Sequence, residues 1–268
     1  MMSNATSASA RSRIESILDD NSFVEIGAGV KARATDFNLT AKNTLSDGVI
    51  TGYGVINGNL VYVYSQDTSV MNGTIGEMHA KKIAGLYDMA MKMAAPVIGL
   101  IDCAGIRLQE ATDALAGFGL VYKKMTEASG VIPQITAVYG NCGGGLAVLT
   151  GLSDFTFMEE KSGKLYVNTP NALEGNYTEK LDTASAKFQA ESGMVDFVGD
   201  EDTIANGIRQ LVSILPANNE GDIYSVESSD DLNRVCPDMA AEIADPALAL
   251  SDISDDNLFV EVKSAYAK

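Results

Sequence analysis

The stretch that most constrains the fold is Val138-Tyr139-Gly140-Asn141-Cys142-Gly143-Gly144-Gly145-Leu146. The apolar run from Pro133 to Val138 predicts a buried strand, and Leu146 onward predicts the start of a buried helix. Four glycines in six residues leave the backbone between them almost bare. A glycine turn that opens a helix presents N–H groups without helical partners at the positive end of the helix dipole. Such a turn can hold a phosphate, or an oxygen that becomes negative during a reaction. A phosphate loop of the Walker type requires Lys-Ser/Thr after its last glycine, where this chain has Leu146-Ala147, and the glycine spacing does not fit the dinucleotide fingerprint. Two readings remain: an oxyanion hole, or a tight turn whose glycines serve only close packing.

The preceding segments repeat the pattern. Ala10 to Asp19 predicts a short helix and Phe23-Val24-Glu25-Ile26 a strand-like piece. Val49 to Ile56 and Leu60 to Ser65 predict two strands joined by the hairpin turn Asn57-Gly58. Thr74-Ile75-Gly76-Glu77 has the form of a capping box, ahead of a helix that carries His79, Ile83, Leu86 and Met89. Pro96 to Asp102 is apolar enough to be a parallel strand buried on both faces. It runs into Cys103-Ala104-Gly105-Ile106-Arg107 and a helix from about Leu108 to Ser129. Short strands at Asp154–Met158 and Lys164–Val167 follow, then helices over Leu181–Gly193 and Glu201–Leu215. The alternation predicts an α/β fold in which consecutive parallel strands deliver the loops Ala104-Gly105 and Gly143–Gly145 to one edge of the sheet. That convergence favours a ligand site over packing alone.

Residues 217–268 stand apart from 1–216. Glu220 to Ile253 is acidic and rich in Pro, Ser and Asp, as a linker or arm would be, and Leu258-Phe259-Val260-Glu261-Val262 predicts a strand. A strand there, with only six residues after it, would look for a partner chain. A net charge of −17 argues against nonspecific nucleic-acid or anionic-membrane binding. Three widely separated cysteines show no metal or redox spacing, and no apolar run reaches membrane-spanning length, so a cytoplasmic protein with no bound metal and no direct membrane insertion is expected.

Several ordered segments carry a family resemblance. They are Asp47-Gly48-Val49-Ile50-Thr51-Gly52, Tyr62-Val63-Tyr64-Ser65-Gln66-Asp67, Gly76-Glu77-Met78-His79-Ala80-Lys81-Lys82-Ile83 and Ser129-Gly130-Val131-Ile132-Pro133-Gln134-Ile135. Ser153-Asp154-Phe155-Thr156-Phe157-Met158 and Leu215-Pro216-Ala217-Asn218-Asn219 belong with them. Together they resemble the N-terminal half of the carboxyltransferase component of biotin-dependent acyl-CoA carboxylases and decarboxylases, of the propionyl-CoA carboxylase β type. The resemblance implies a crotonase-like α/β spiral of ββα units, with residues 217–268 forming a crossover linker and partner-binding extension. It implies an acyl-CoA thioester as substrate and biotin on a separate carrier protein, not covalently attached here. It also implies a second carboxyltransferase half on another chain, and hence a hetero-oligomer.

On this resemblance Gly144 and Gly145 occupy the oxyanion hole, and Ala104, Gly105, Ile106, Arg107 and Gly143 line the substrate site. The family reads Asp-Ser-Gly-Gly-Ala-Arg-hydrophobic-Gln-Glu-Gly where this chain has Asp102-Cys103-Ala104-Gly105-Ile106-Arg107-Leu108-Gln109-Glu110-Ala111. Ile106 to Ala111 is closer to the malonate decarboxylase branch, and Asn141 replaces the usual proline. The alternatives are therefore a malonate decarboxylase-type subunit acting on a carrier-bound thioester, or a noncatalytic scaffold of a carboxylase complex. His79 reads as structural rather than as a general base. Arg107 either holds a CoA phosphate or pairs with Glu110, and Lys123-Lys124 reads as a solvated helix face. Cys142 reads as a small packed residue, with no base in view to make it a nucleophile.

Overall fold

A computed structural model describes residues 9–33, 44–172, 181–221, 230–231, 233–236 and 244–266. The extreme N-terminus, much of the acidic tail and Ala267-Lys268 lie outside the described residues. The chain divides into two compact units, residues 1–220 with 263–268, and residues 221–262.

The larger unit is built on one eight-stranded sheet. Helix α1 (Ala10–Ile17) precedes strand β1 (Val24–Ile26), and β2 (Val49–Ile56) and β3 (Asn59–Gln66) form the expected hairpin. Its turn residues Asn57 and Gly58 have φ of 48° and 81°, the left-handed pair that matches the twist of the flanking strands. Helix α2 (Glu77–Met93) leads to β4 (Val97–Cys103), and α3 (Ala111–Ala128) to β5 (Gln134–Gly143). After β5 come α4 (Ala147–Leu152), β6 (Phe155–Glu159) and β7 (Lys164–Tyr166). Helix α5 (Ala186–Glu191), β8 (Phe197–Gly199) and α6 (Glu201–Ile214) complete the unit. The order is β1-β2-β3-β4-β5-β6-β8, antiparallel up to β3 and parallel from β3 onward, with β7 beside the end of β5. This is the crotonase-like α/β arrangement expected from the sequence.

Alternation along the strands sends side chains to two cores. In β4, Val97, Ile101 and Cys103 join α2 and α3 on one face, while Ile98 and Leu100 join α1 and α6 on the other. Both faces of β4 are covered, which is why its sequence is an unbroken apolar run. Helix α1 is fastened to the end of β4 by buried Arg13, which reaches the Asp102 carboxylate at 3.1 Å and lies over the Tyr139 ring, 4.6 Å from its centroid.

Three local expectations are corrected. The Thr74–Glu77 capping box does not form, because the Thr74 hydroxyl donates to the Met71 carbonyl and Gly76 is the N-cap. The helix expected over Leu181–Gly193 is confined to Ala186–Glu191. No strand forms over Leu258–Val262; a short 3-10 turn, Asp255–Asn257, runs into irregular backbone and a turn with Lys263 at φ 57°. In the smaller unit, the stretch expected to be a linker contains helix α7 (Pro246–Ile253), capped by the Asp245 carboxylate. Residues 263–266 return to the larger unit, where the Lys263 N–H donates to the Asp196 carbonyl and its ammonium to the Gly193 carbonyl. Among the described residues no helix is long and apolar enough to cross a membrane.

Candidate active site

β4 and β5 are adjacent and parallel, with Ile101 opposite Val138 and Cys103 opposite Cys142, so their following loops emerge side by side. Beyond β5 the chain tightens into a 3-10 turn, Gly144–Leu146, that continues as α4. Gly144 has φ 63°, a backbone state open to glycine and costly for other residues. The first N–H groups of this turn have no partner within the helix by construction. A Cβ on Gly145 would lie 2.9 Å from the Tyr122 hydroxyl, and one on Gly143 would lie 2.6 Å from the Tyr166 ring. The bare backbone is therefore required by close neighbours as well as by φ.

The turn forms one wall of a cleft of about 450 Å³, lined by Ile106, Leu115, Phe118, Gly119, Tyr122 and Gly143–Gly145. Ile106 comes from the β4 loop and the next four residues from α3. The β4 loop is held by backbone pairing: Ile75 N–H donates to Gly105 C=O and Arg107 N–H donates to Ile75 C=O, both at 2.9 Å. In extended chain successive residues direct their N–H and C=O groups to opposite sides, so those of Ile106 face away from Ile75. Gly105, at φ 107°, supplies the bend that makes this possible.

The sequence-expected site residues separate into two groups. Gly143, Gly144, Gly145 and Ile106 are brought together on the cleft. Ala104 and Gly105 shape the loop without lining it, the Ala104 N–H being bonded to the Asn72 carbonyl. Arg107 as a substrate ligand is corrected. Its side chain is fully buried, bonded through one nitrogen to the Asp47 carboxylate and, at 2.9 Å, to Glu110, and through the others to the Thr74 hydroxyl and carbonyl. Every direction a phosphate would use is taken by protein.

That buried cluster also replaces the missing capping box. Asp47 accepts the His79 N–H at 2.7 Å and Glu110 accepts the Glu77 N–H, so two carboxylates from distant positions cap α2 and neutralise its dipole. Burial raises the Asp47 pKa above the ordinary carboxylate value even with Arg107 alongside. His79 is fully buried, and burial together with the Arg107 charge lowers its pKa to about 3. The ring is therefore neutral, and its partners assign the tautomer. Nδ1–H donates to the Asp47 carbonyl, and Nε2 accepts from the Gln66 amide, whose oxygen accepts the Asp102 N–H. A proton-locked imidazole of this kind is a structural part and not a general base.

Cys103 and Cys142 are equally inert. Burial pushes the Cys103 thiol up to about 12 and the Cys142 thiol well above the ordinary range. Since the thiolate is the nucleophile, neither is primed for attack. Lys123 and Lys124 pair with Glu127 and Asp88 on the surface. The α3 wall was not legible in advance, because Leu115, Phe118 and Tyr122 have the spacing of an ordinary buried helix face.

The carboxyl transferase domain family matches residues 4–268. The chain is 37% identical over 270 residues to the methylmalonyl-CoA decarboxylase subunit alpha of Veillonella parvula, covering 96% of this chain and 53% of that one. It is 36% identical to the propionyl-CoA carboxylase beta chain of Roseobacter denitrificans, covering 97% and 53%. Among solved structures, transcarboxylase 12S, with methylmalonyl-coenzyme A and methylmalonic acid bound, superposes with a TM-score of 0.86 at 31% identity, over 97% of this chain and 52% of that one. The chain thus spans about half the length of the curated relatives it matches.

Proposed function

The chain belongs to the carboxyl transferase domain family, and we propose that it is the acyl-CoA-binding half of a biotin-dependent carboxyltransferase. In this reading it moves a carboxyl group between biotin on a separate carrier and the α-carbon of an acyl-CoA, within a hetero-oligomer that includes a second carboxyltransferase half on another chain. The observation that carries the proposal is the glycine turn Gly143–Gly145 opening onto a largely apolar cleft that Ile106 also lines.

Carboxyl transfer at the α-carbon of a thioester passes through an enolate, so negative charge gathers on the thioester oxygen. A fixed backbone donor aimed at that oxygen lowers the barrier, and removing one such donor costs about 100- to 1000-fold in rate. Gly144 and Gly145 are assigned as the donors, and Gly143 and Ile106 as the residues that enclose the acyl group. Ile106, Leu115 and Phe118 give the cleft an apolar lining, and a hydrogen bond to a developing charge is stronger in such low-dielectric surroundings than in water. Biotin, when bound, supplies or accepts the carboxyl group. No residue of this chain is assigned to it, because the family resemblance gives the biotin-receiving side to the second half. Neither Cys103 nor Cys142 nor the single histidine is needed, in keeping with their burial.

The test is calorimetry with acetyl-, propionyl-, malonyl- and methylmalonyl-CoA on the chain assembled with its second half, followed by a carboxyl-transfer assay with a biotin carrier. Binding of at least one thioester together with transfer is expected. Failure of all four, with the complex intact, overturns the proposal.

A further inference from the structure

A run of three glycines is easy to bend and hard to hold. Each glycine reaches both halves of φ space at little cost, so the turn draws little stiffness from its own residues. An oxyanion hole works only when its donors are fixed before the charge forms. Gly143 is held by its pairing with Tyr166 on β7, and for Gly144 and Gly145, beyond the strand, the fold supplies a clamp from α3. The Tyr122 hydroxyl, on α3, donates to the Gly145 carbonyl, which is also approached by the Ala147 N–H from inside the helix. The peptide unit is planar, so fixing that carbonyl fixes the Leu146 N–H, which points the opposite way, and limits rotation at Gly145.

Tyr122 is itself held. Its ring packs against Phe118, with centroids 5.9 Å apart and a tilt of 58°, and Phe118 is buried in the core. Gly145 matches this arrangement, since a side chain there would collide with the hydroxyl. Burial raises the Tyr122 pKa above its ordinary value of 10.0, so the hydroxyl keeps its proton and stays a donor at neutral pH.

We infer that Tyr122 is a positioning residue, whose hydroxyl aligns the Gly143–Gly145 turn so that its N–H groups meet the charge on the substrate oxygen. This rests on the oxyanion reading of the turn given above. Tyr122 touches the turn and lines the cleft, and takes no part in proton or carboxyl transfer.

The experiment compares Tyr122→Phe with wild type in the assembled complex, using two coenzyme A probes. One is a nitronate analogue, which carries the charge of the enolate; the other is the matching uncharged thioether. Removing one hydroxyl leaves the ring packing in place, and the thermal midpoint checks folding. Wild type is expected to bind the nitronate more tightly than the thioether. Tyr122→Phe should lose about twofold to tenfold of nitronate affinity, the range of one net hydrogen bond, with thioether affinity unchanged. kcat should fall by a similar factor with KM unchanged. An undiminished preference for the nitronate in Tyr122→Phe overturns the inference and leaves the oxyanion reading standing. Equal weakening of both probes also overturns it, since Tyr122 would then be only a wall of the cleft. A wild type that does not prefer the nitronate overturns the oxyanion reading, and the inference with it.

Discussion

Ala111 sits in a backbone state that alanine rarely adopts. Between the 3-10 turn Leu108–Glu110 and helix α3 it has φ 46° and ψ −120°, the first central position of a type II′ turn, where glycine is the usual occupant. Glycine is also what the resembling family carries there. Replacing Ala111 by Gly should relieve about 1–3 kcal/mol of backbone strain. Against this stands about 0.5–1 kcal/mol for the greater freedom of glycine in the unfolded chain. The residue is exposed, so loss of its methyl removes little buried area. The net expectation is a stabilisation of about 1 kcal/mol, read as a rise of roughly 2–4 °C in thermal midpoint for a chain of this size. Urea titration checks it, with a higher midpoint at an unchanged slope. The control is Ala116→Gly, at an exposed position inside the same helix, which should cost about 1 kcal/mol. If both substitutions lower the midpoint alike, Ala111 carries no backbone strain.

Two further outcomes follow from the buried cluster at the start of α2. Arg107→Met leaves the Asp47 and Glu110 carboxylates without their shared cation, and should lower stability by about 3–5 kcal/mol in denaturant titration; a loss under 1 kcal/mol would contradict the described ion pairing. For His79, the folded pKa of about 3 lies below the unfolded value near 6.5, so the unfolded chain binds the extra proton. Its contribution to stability is intact above about pH 6.5 and falls by about 1.4 kcal/mol per pH unit below that, towards pH 3. His79→Gln should be less stable than wild type at pH 7, and the gap should narrow as the pH is lowered to 5. A gap that stays constant over that range would mean that the ring is not buried neutral.

Much of the fold was legible because its signals are local. Asn57-Gly58 specifies its hairpin, the apolar run of β4 specifies a strand covered on both faces, and each glycine-bearing loop directly follows its strand. The parts that were not legible depend on residues far apart in the chain. Asp47 and Glu110 cap α2 from 32 positions before His79 and 33 after Glu77, and no four-residue window can contain them. Arg107 has the composition of a phosphate ligand, and only its surroundings show that it is enclosed. On α3, the residues that wall the cleft have the same period as those that fill the core. The Leu258–Val262 run has the composition of a strand, yet Asn257 and Lys263, at φ 55° and 57°, bend the backbone at both of its ends.

The oxyanion assignment of the glycine turn is tested most sharply by the rate of carboxyl transfer between an acyl-CoA and a biotin carrier, measured on the assembled complex for Gly144→Val, Gly145→Val and Cys142→Ala. A β-branched residue at Gly144 opposes its positive φ and displaces the donor there, and one at Gly145 pushes aside the Tyr122 hydroxyl and fills the cleft at the turn. Rates lower by about 100-fold or more are expected for the two valine variants, the effect of losing one donor, with complex formation intact by size exclusion. Near wild-type turnover is expected for Cys142→Ala, whose thiol is buried and protonated. Turnover that survives both valines, or is abolished by Cys142→Ala in an intact complex, would rule out backbone donors at Gly144 and Gly145 as the source of catalysis.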